Sequence, residues 1–123
     1  MKRHSFKDGE VIFRENDPSD AAYLIMEGKV EIIHGRRSEA NTTVAVLGRG
    51  EYFGEMGVID DKPRSATARA KGETACMSVS RDEFMDMLLN RPEESIELLK
   101  VLFERLRKAN DRLMLMEKSG GTA

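Results

Sequence analysis

The sequence predicts a mainly β domain, an antiparallel sandwich or barrel, followed by helices at its C-terminal end. Three observations carry this. Glycines and β-branched residues lie mostly before position 80, and strong helix formers dominate after it. Before position 80, short β-type runs are separated by turn chemistry at the spacing of antiparallel strands. Beyond it, two stretches open with helix-start residues and carry apolar side chains at helical spacing.

Taken in order, Val11-Ile12-Phe13 is a short strand and Asn16-Asp17-Pro18-Ser19-Asp20 a turn. Ala22-Tyr23-Leu24-Ile25-Met26 and Val30-Glu31-Ile32-Ile33 read as two strands, with Glu27-Gly28 as a tight hairpin turn between them. Further strands follow at Thr42–Leu47, Ala66–Ala70 and Thr74–Val79, with Gly48, Gly50 and Gly72 marking the breaks. The β part spans about 6–79 and the helices about 80–90 and 92–118. Ser80 with Glu83 three residues later is a capping box that opens a helix carrying Phe84, Met87 and Leu88 on one face. Pro92 starts the second helix, with Glu93 and Glu94 suited to the positive end of its dipole. Residues 119–123, Ser-Gly-Gly-Thr-Ala, form a flexible tail.

The second helix carries two overlapping patterns. Leu98, Leu99, Leu102 and Phe103 form a broad stripe suited to packing on a globular body. Leu99, Leu102, Leu106, Ala109, Leu113 and Met116 fall at steps of 3, 4, 3, 4 and 3, a heptad seam of a and d positions. A helix of about 25 residues spans about 37 Å, longer than a small domain easily covers. That length favours a homodimer seam over a helix lying wholly on its own domain.

With 123 residues, the chain buries one core, so residues 1–118 are read as one domain. At 40% hydrophobic and 34% charged, with three prolines, the composition excludes disorder and collagen. The net charge of −2 supplies no overall field for a nucleic-acid backbone or an anionic membrane, so any anion site must be local. One cysteine, Cys76, forms no intramolecular disulfide. There is no apolar leader, and no apolar run approaches the roughly 18 residues of a membrane helix, which reads as a cytoplasmic protein.

Catalysis has little support. His4 and His34 lack acidic or cysteine partners at a motif spacing, Cys76 alternates with Thr74 and Ser78 in a strand, and Asp60, Asp61 and Asp82 do not form a Ca²⁺ loop. No catalytic residue, metal ligand or cofactor is assigned.

The informative stretch is Gly50–Ala70. Gly54 allows close backbone approach, and Glu55-Met56-Gly57-Val58-Ile59 can form one short helical turn whose N-terminal N–H groups face an anion. Arg64 supplies a permanently charged donor fork. Glu55 would repel a phosphate, but a carboxylate is a strong acceptor for a sugar hydroxyl. Phosphate plus ribose hydroxyl points to a nucleotide. No Gly-Lys-Ser/Thr phosphate loop is present. The alternatives are a surface ion pair for Arg64 and a helix N-terminal charge for Glu55.

The run F-G-E-M-G-V-I-D-D-K-P-R-S-A at positions 53–66 resembles the phosphate-binding cassette of the cyclic-nucleotide-binding domain family, roughly F-G-E-L-A-L, three or four variable residues, then P-R-A/S/T-A. Glu55 and Arg64 keep the nine-residue spacing. The resemblance extends to Phe6, Gly9, Ile12, Asp20, Tyr23, Ile25, Gly28, Val30 and Gly50 and to the two helices. It is to sensor domains of the catabolite-activator and protein-kinase regulatory-subunit type. Asn16 stands where the family usually has glycine, and Asn tolerates the left-handed conformation. Gly57 stands where alanine is commoner, which alters helix propensity.

The resemblance implies a jelly-roll-like antiparallel β-barrel (a double-stranded β-helix) followed by two C-terminal helices, binding a cyclic nucleotide, with cAMP the default over cGMP. It implies that Arg64 pairs with the cyclic phosphate, that Glu55 accepts the ribose 2′-hydroxyl and that Ser65 adds a hydroxyl contact. Gly54, Glu55, Met56 and Ala66 would present backbone N–H groups. Asn110 is the candidate base contact and Val44 a sugar or base contact; Asn110 is alternatively a solvent-facing or register-setting residue beside the seam. Related bacterial transcription factors continue past the long helix into a DNA-binding helix-turn-helix and this sequence stops there, so direct nucleic-acid binding is not expected. Instead, ligand would move the last helix and signal to a downstream protein. The alternative function is a ligand-free scaffold for dimerisation or protein interaction.

Overall fold

The protein, a computed structural model, is described at residues 1–34 and 42–119, with side chains at all of these except 42, 44, 109, 110 and 112–119. Its strands are Lys2–Phe6 (β1), Val11–Phe13 (β2), Ala21–His34 (β3), Thr42–Leu47 (β4), Tyr52–Phe53 (β5) and Thr67–Ser80 (β6). A short helix, Glu55–Asp60 (α1), interrupts them, and Arg81–Asn90 (α2) and Pro92–Ser119 (α3) follow. The long strands β3 and β6, 14 residues each, pair antiparallel from Ala21↔Ser80 to Ile33↔Thr67. The far edge of β6 carries β1 beside residues 74–78 and β2 beside 68–69. The far edge of β3 carries β5 beside 23–24 and β4 beside 30–34.

Each long strand therefore belongs to two half-sheets, one containing β1 and β5 and the other β2 and β4. The join lies at Gly28 and Gly72, with φ of 88° and 79°, and the β3–β6 register shifts between Ile25 and Glu27 and again between Glu27 and Lys29. Bulges of this kind bend a strand pair and tighten its twist. The bend brings the halves onto one core: Ile25, Phe53 and Cys76 from one half cluster with Val30 and Ala68 from the other. Alanines at 66, 68, 70 and 75, all buried, let the layers approach closely.

The mainly β, jelly-roll-like architecture with C-terminal helices is present, but the sheet is not closed into a barrel. Among the described residues, β1 pairs with β6 alone and β4 with β3 alone. Glu27-Gly28 is not a hairpin turn, and Gly72 does not separate two strands; at both places the strand runs through a bulge. A positive-φ glycine serves a turn and a bulge equally, so the residue type does not distinguish them. β1 adds a strand whose only sequence signal is alternation, with His4 and Phe6 half-buried between exposed neighbours.

The chain divides into two compact units, Met1–Met85 and a second beginning at Asp86. At the start of α2 the capping box is formed: Glu83 N donates to Ser80 Oγ at 3.2 Å and Ser80 N to Glu83 Oε1 at 3.0 Å. In the second unit, Ser95 Oγ donates to Leu88 O at 2.8 Å, tying the first turn of α3 to α2. Leu98 is buried and Leu102 half-buried, whereas Ile96, Leu99, Phe103 and Leu106 are exposed. The exposed stripe thus steps by 3, 4 and 3 through Phe103 and not through Leu102. Ala109, Leu113 and Met116 of the expected seam, together with Val44 and Asn110, have side chains outside the described residues.

A Cβ at Gly28 would collide with the Glu73 carbonyl oxygen and stand 2.7 Å from Thr74 Oγ1, whereas at Gly9, with φ 81°, it meets nothing within 4 Å. Gly9→Ala is therefore expected to cost about 1–2 kcal/mol, the left-handed penalty alone. Gly28→Ala adds overpacking of about 1–3 kcal/mol. Urea denaturation of the two variants beside the wild type measures both; equal losses would show that the bend tolerates a side chain.

Candidate functional site: a buried arginine beside a short helix

Positioning of the site starts at a turn. After β2, Asp17 N donates to Arg14 O at 3.0 Å and Arg14 N to Asp17 Oδ2 at 3.0 Å, with Asn16 in the left-handed region at φ 76°. Asn reaches this conformation because its short polar side chain is compatible with it. The turn holds the backbone of Arg64 on both sides: Arg64 N donates to Asp17 O, and Asn16 N to Arg64 O, each at 2.8 Å. Arg64 leaves this turn with its side chain directed into the protein.

The guanidinium is enclosed. Arg64 is 4% exposed; its Nη1 donates to Gly54 O and its Nη2 to Ala21 O, both at 2.7 Å. Its Cζ lies 4.0 Å from the centroid of the Phe13 ring. That ring packs with Phe53 at 5.8 Å and Tyr23 at 5.9 Å, so the cation rests on an aromatic floor. Asp20 Oδ1 lies 3.5 Å from Nη2, but Asp20 is 85% exposed and its contribution is screened. Arg64 is thus no surface ion-pair partner. Among the described residues, Nε is buried with no hydrogen-bond partner. Burial pushes the Arg64 pKa down, and the Tyr23, Asp20, Asp17 and Glu55 groups pull it back up. A guanidinium starts so high that it remains a cation.

Gly54 is where this side chain meets α1. It is the N-cap of the helix at φ 76°, ψ 9°, and a Cβ there would stand 2.6 Å from Arg64 Nη1 and 3.1 Å from the Phe13 ring. Both conformation and close approach require glycine. Glu55, the first residue of α1, is 3% exposed, a buried carboxylate at the positive end of the helix. Glu55 directly follows Gly54, whose carbonyl accepts the Arg64 Nη1 hydrogen bond, so the start of α1 and the guanidinium belong to one site. Met56 and Ser65 are exposed and Ala66 is buried. The fold therefore brings Gly54, Glu55, Arg64 and their sequence neighbours together. Asn110 lies on α3 in the second unit and Val44 on β4, both with side chains outside the described residues.

Gly57 does more than alter helix propensity. A Cβ there would collide with the Ser19 side chain and stand 2.6 Å from Lys62 O, while Ser19 Oγ donates to that same carbonyl at 2.6 Å. Phe13, Ser19 and the Ala21 carbonyl have no signature in the sequence because their roles arise only when β2, β3 and the cassette meet. A half-buried phenylalanine or a small turn residue carries no local sign of such a role.

The geometry can be set beside known proteins. The family model described as "Cyclic nucleotide-binding domain" matches residues 3–91. The CRP-like cAMP-activated global transcriptional regulator of Mycobacterium tuberculosis is 36% identical over 110 residues, 88% of this chain and 48% of that protein. The cAMP-dependent protein kinase regulatory subunit of Dictyostelium discoideum is 39% identical over 101 residues, 74% of this chain and 31% of that protein. The crystal structure of the Thermus thermophilus catabolite activator protein superposes with a TM-score of 0.83 at 33% identity, covering 94% of this chain and 55% of that one. The chain thus spans about half the length of its bacterial relatives and less of the kinase subunit. With the match running from β1 through α2 and including the whole Gly54–Ala66 segment, the chain belongs to the cyclic nucleotide-binding domain family.

Proposed function

We propose that residues 1–118 act as a cyclic-nucleotide sensor domain, binding through Gly54, Glu55, Met56, Arg64, Ser65 and Ala66 without catalysis. The observation that carries this reading is the buried Arg64 guanidinium at the mouth of α1. A guanidinium has five N–H donors, of which two bond the Gly54 and Ala21 carbonyls. Nε and the remaining Nη hydrogens match the geminal oxygens of a phosphodiester, whose one negative charge a single arginine balances. Glu55 is suited to accept the ribose 2′-hydroxyl, a role that a site for bare inorganic phosphate would penalise. The fit is therefore to a nucleotide and not to a small anion.

cAMP is the default ligand over cGMP, supported by the relatives described as cAMP-activated and cAMP-dependent. Base contacts are assigned to Asn110 and Val44. The domain operates in the cytoplasm and passes its signal to a downstream protein by moving α3, with no nucleic-acid contact of its own. No helix among the described residues is long and apolar enough to cross a membrane.

Isothermal titration of the purified chain with cAMP and with cGMP tests the reading. Saturable binding is expected, tighter for cAMP, and Arg64→Ala should weaken it by at least about 30-fold by removing the buried cation. A folded protein, stripped of co-purified nucleotide, that binds neither ligand would overturn it.

A second reading, a scaffold for dimerisation, is favoured by the exposed stripe Ile96, Leu99, Phe103 and Leu106 on α3. An apolar stripe at this spacing matches the a and d positions of a two-helix seam. Dimerisation is compatible with ligand binding, and the seam we propose runs through Leu99, Phe103 and Leu106. Sedimentation velocity should show a dimer that becomes a monomer in Phe103→Glu/Leu106→Glu; a monomeric wild type at all concentrations would remove the seam.

A further inference from the structure

The six-residue helix α1 is too short to satisfy its own C-terminal carbonyls, and it ends in Asp61, a non-glycine residue in the left-handed region at φ 59°. The Asp60 carboxylate accepts from Lys62 N at 3.2 Å, and the Arg81 side chain reaches this end from outside the helix. Arg81 Nε and Nη2 both donate to Val58 O, at 3.0 and 2.6 Å, and Arg81 Nη1 donates to Asp61 Oδ1 at 2.9 Å. A cation there also complements the negative end of the helix dipole.

Arg81 is itself closely fixed. It is the first residue of α2, directly after Ser80, whose capping box with Glu83 defines the start of that helix. Ser80 is the last residue of β6 and lies in register with Ala21 of β3, and the Ala21 carbonyl accepts the Arg64 hydrogen bond. The ties close into a ring. Arg64 holds the N-terminal end of α1 through Gly54 and the sheet through Ala21; the sheet leads through Ser80 to Arg81; and Arg81 holds the C-terminal end of α1 through Val58 and Asp61. Both ends of the helix are referred to one place on the β3–β6 pair.

We infer that Arg81 is a positioning residue for the ligand site: it sets the axis of α1, and so the direction of the N–H groups and the Glu55 carboxylate at the opposite end. The inference rests on the nucleotide-binding reading for its consequence, though not for the anchor itself. The exposed ion pair with Asp61 contributes little alone. The two N–H donors on the Val58 carbonyl are the essential part, because lysine, with a single nitrogen, cannot reproduce that fork while also reaching Asp61. Preorganisation of this kind acts by lowering the ordering cost of binding.

The test compares the wild-type chain with Arg81→Gln and Arg81→Lys by amide hydrogen exchange without ligand and by titration with cAMP. Arg81→Gln should speed exchange in α1 about tenfold while β6 amides stay protected, and weaken cAMP binding about tenfold. Arg81→Lys should fall between it and the wild type, and it carries the test alone if the glutamine variant does not fold. Unchanged α1 exchange, unchanged cAMP affinity in a binding wild type, or full rescue by lysine would overturn the inference. A wild type that binds no nucleotide, with α1 exchange still raised in the variants, would overturn the functional reading and leave the anchor standing.

Discussion

A buried guanidinium is the constraint around which this protein is arranged. Placing the Arg64 cation at 4% exposure is unfavourable unless the surroundings replace its water. Here two main-chain carbonyls and the face of Phe13 do so. Each partner comes from a different part of the chain: Gly54 from the start of α1, Ala21 from the first residue of β3, Phe13 from the end of β2. Satisfying one side chain therefore fixes three elements relative to each other. The Asn16-Asp17 turn fixes the backbone from which that side chain departs. Because two of the guanidinium's hydrogen bonds go to carbonyls, its position does not depend on an anion, and the site is preorganised.

The sheet supplies the frame for this arrangement through a bend. Two 14-residue strands paired flat would give one broad sheet with an unburied face. Bulges around Gly28 and Gly72 fold the pair so that the halves share a core. The fold brings β2 and the start of β3 to the same side as α1, where Phe13 and the Ala21 carbonyl receive Arg64. Gly54 and Gly28 are each required by close contact as well as by positive φ, and Gly57 by close contact alone, so small residues mark where layers approach most closely.

Much of the site is legible in the amino-acid order alone. The Phe53–Ala66 pattern concentrates a glycine, an acidic residue and an arginine at a fixed separation, and the roles proposed for them, a fork for phosphate and a carboxylate for hydroxyls, rest on local chemistry, as does the glycine where a Cβ cannot fit. The turn at Asn16-Asp17 and the capping box at Ser80–Glu83 are legible for the same reason, since each is made by residues within three positions of one another. Phe13 and Arg81 are not. Their contacts reach 51 and 23 positions along the chain, to Arg64 and Val58, and nothing in the flanking sequence distinguishes them from an ordinary strand phenylalanine and an ordinary helix-start arginine.

Secondary-structure types, the β-then-α order and the cassette are written in the sequence, because they depend on periodicity, capping and residues close together in the chain. Tertiary packing was needed to settle that Glu27-Gly28 bends a strand instead of turning it, that the sheet stays open between β1 and β4, and that Phe103 and not Leu102 lies on the exposed face of α3. A left-handed glycine is as well accommodated in a turn as in a bulge, and helix propensity does not say which of two apolar neighbours faces the body of the protein. What separates them is which partner lies across the gap, and that is set by the packing of distant segments.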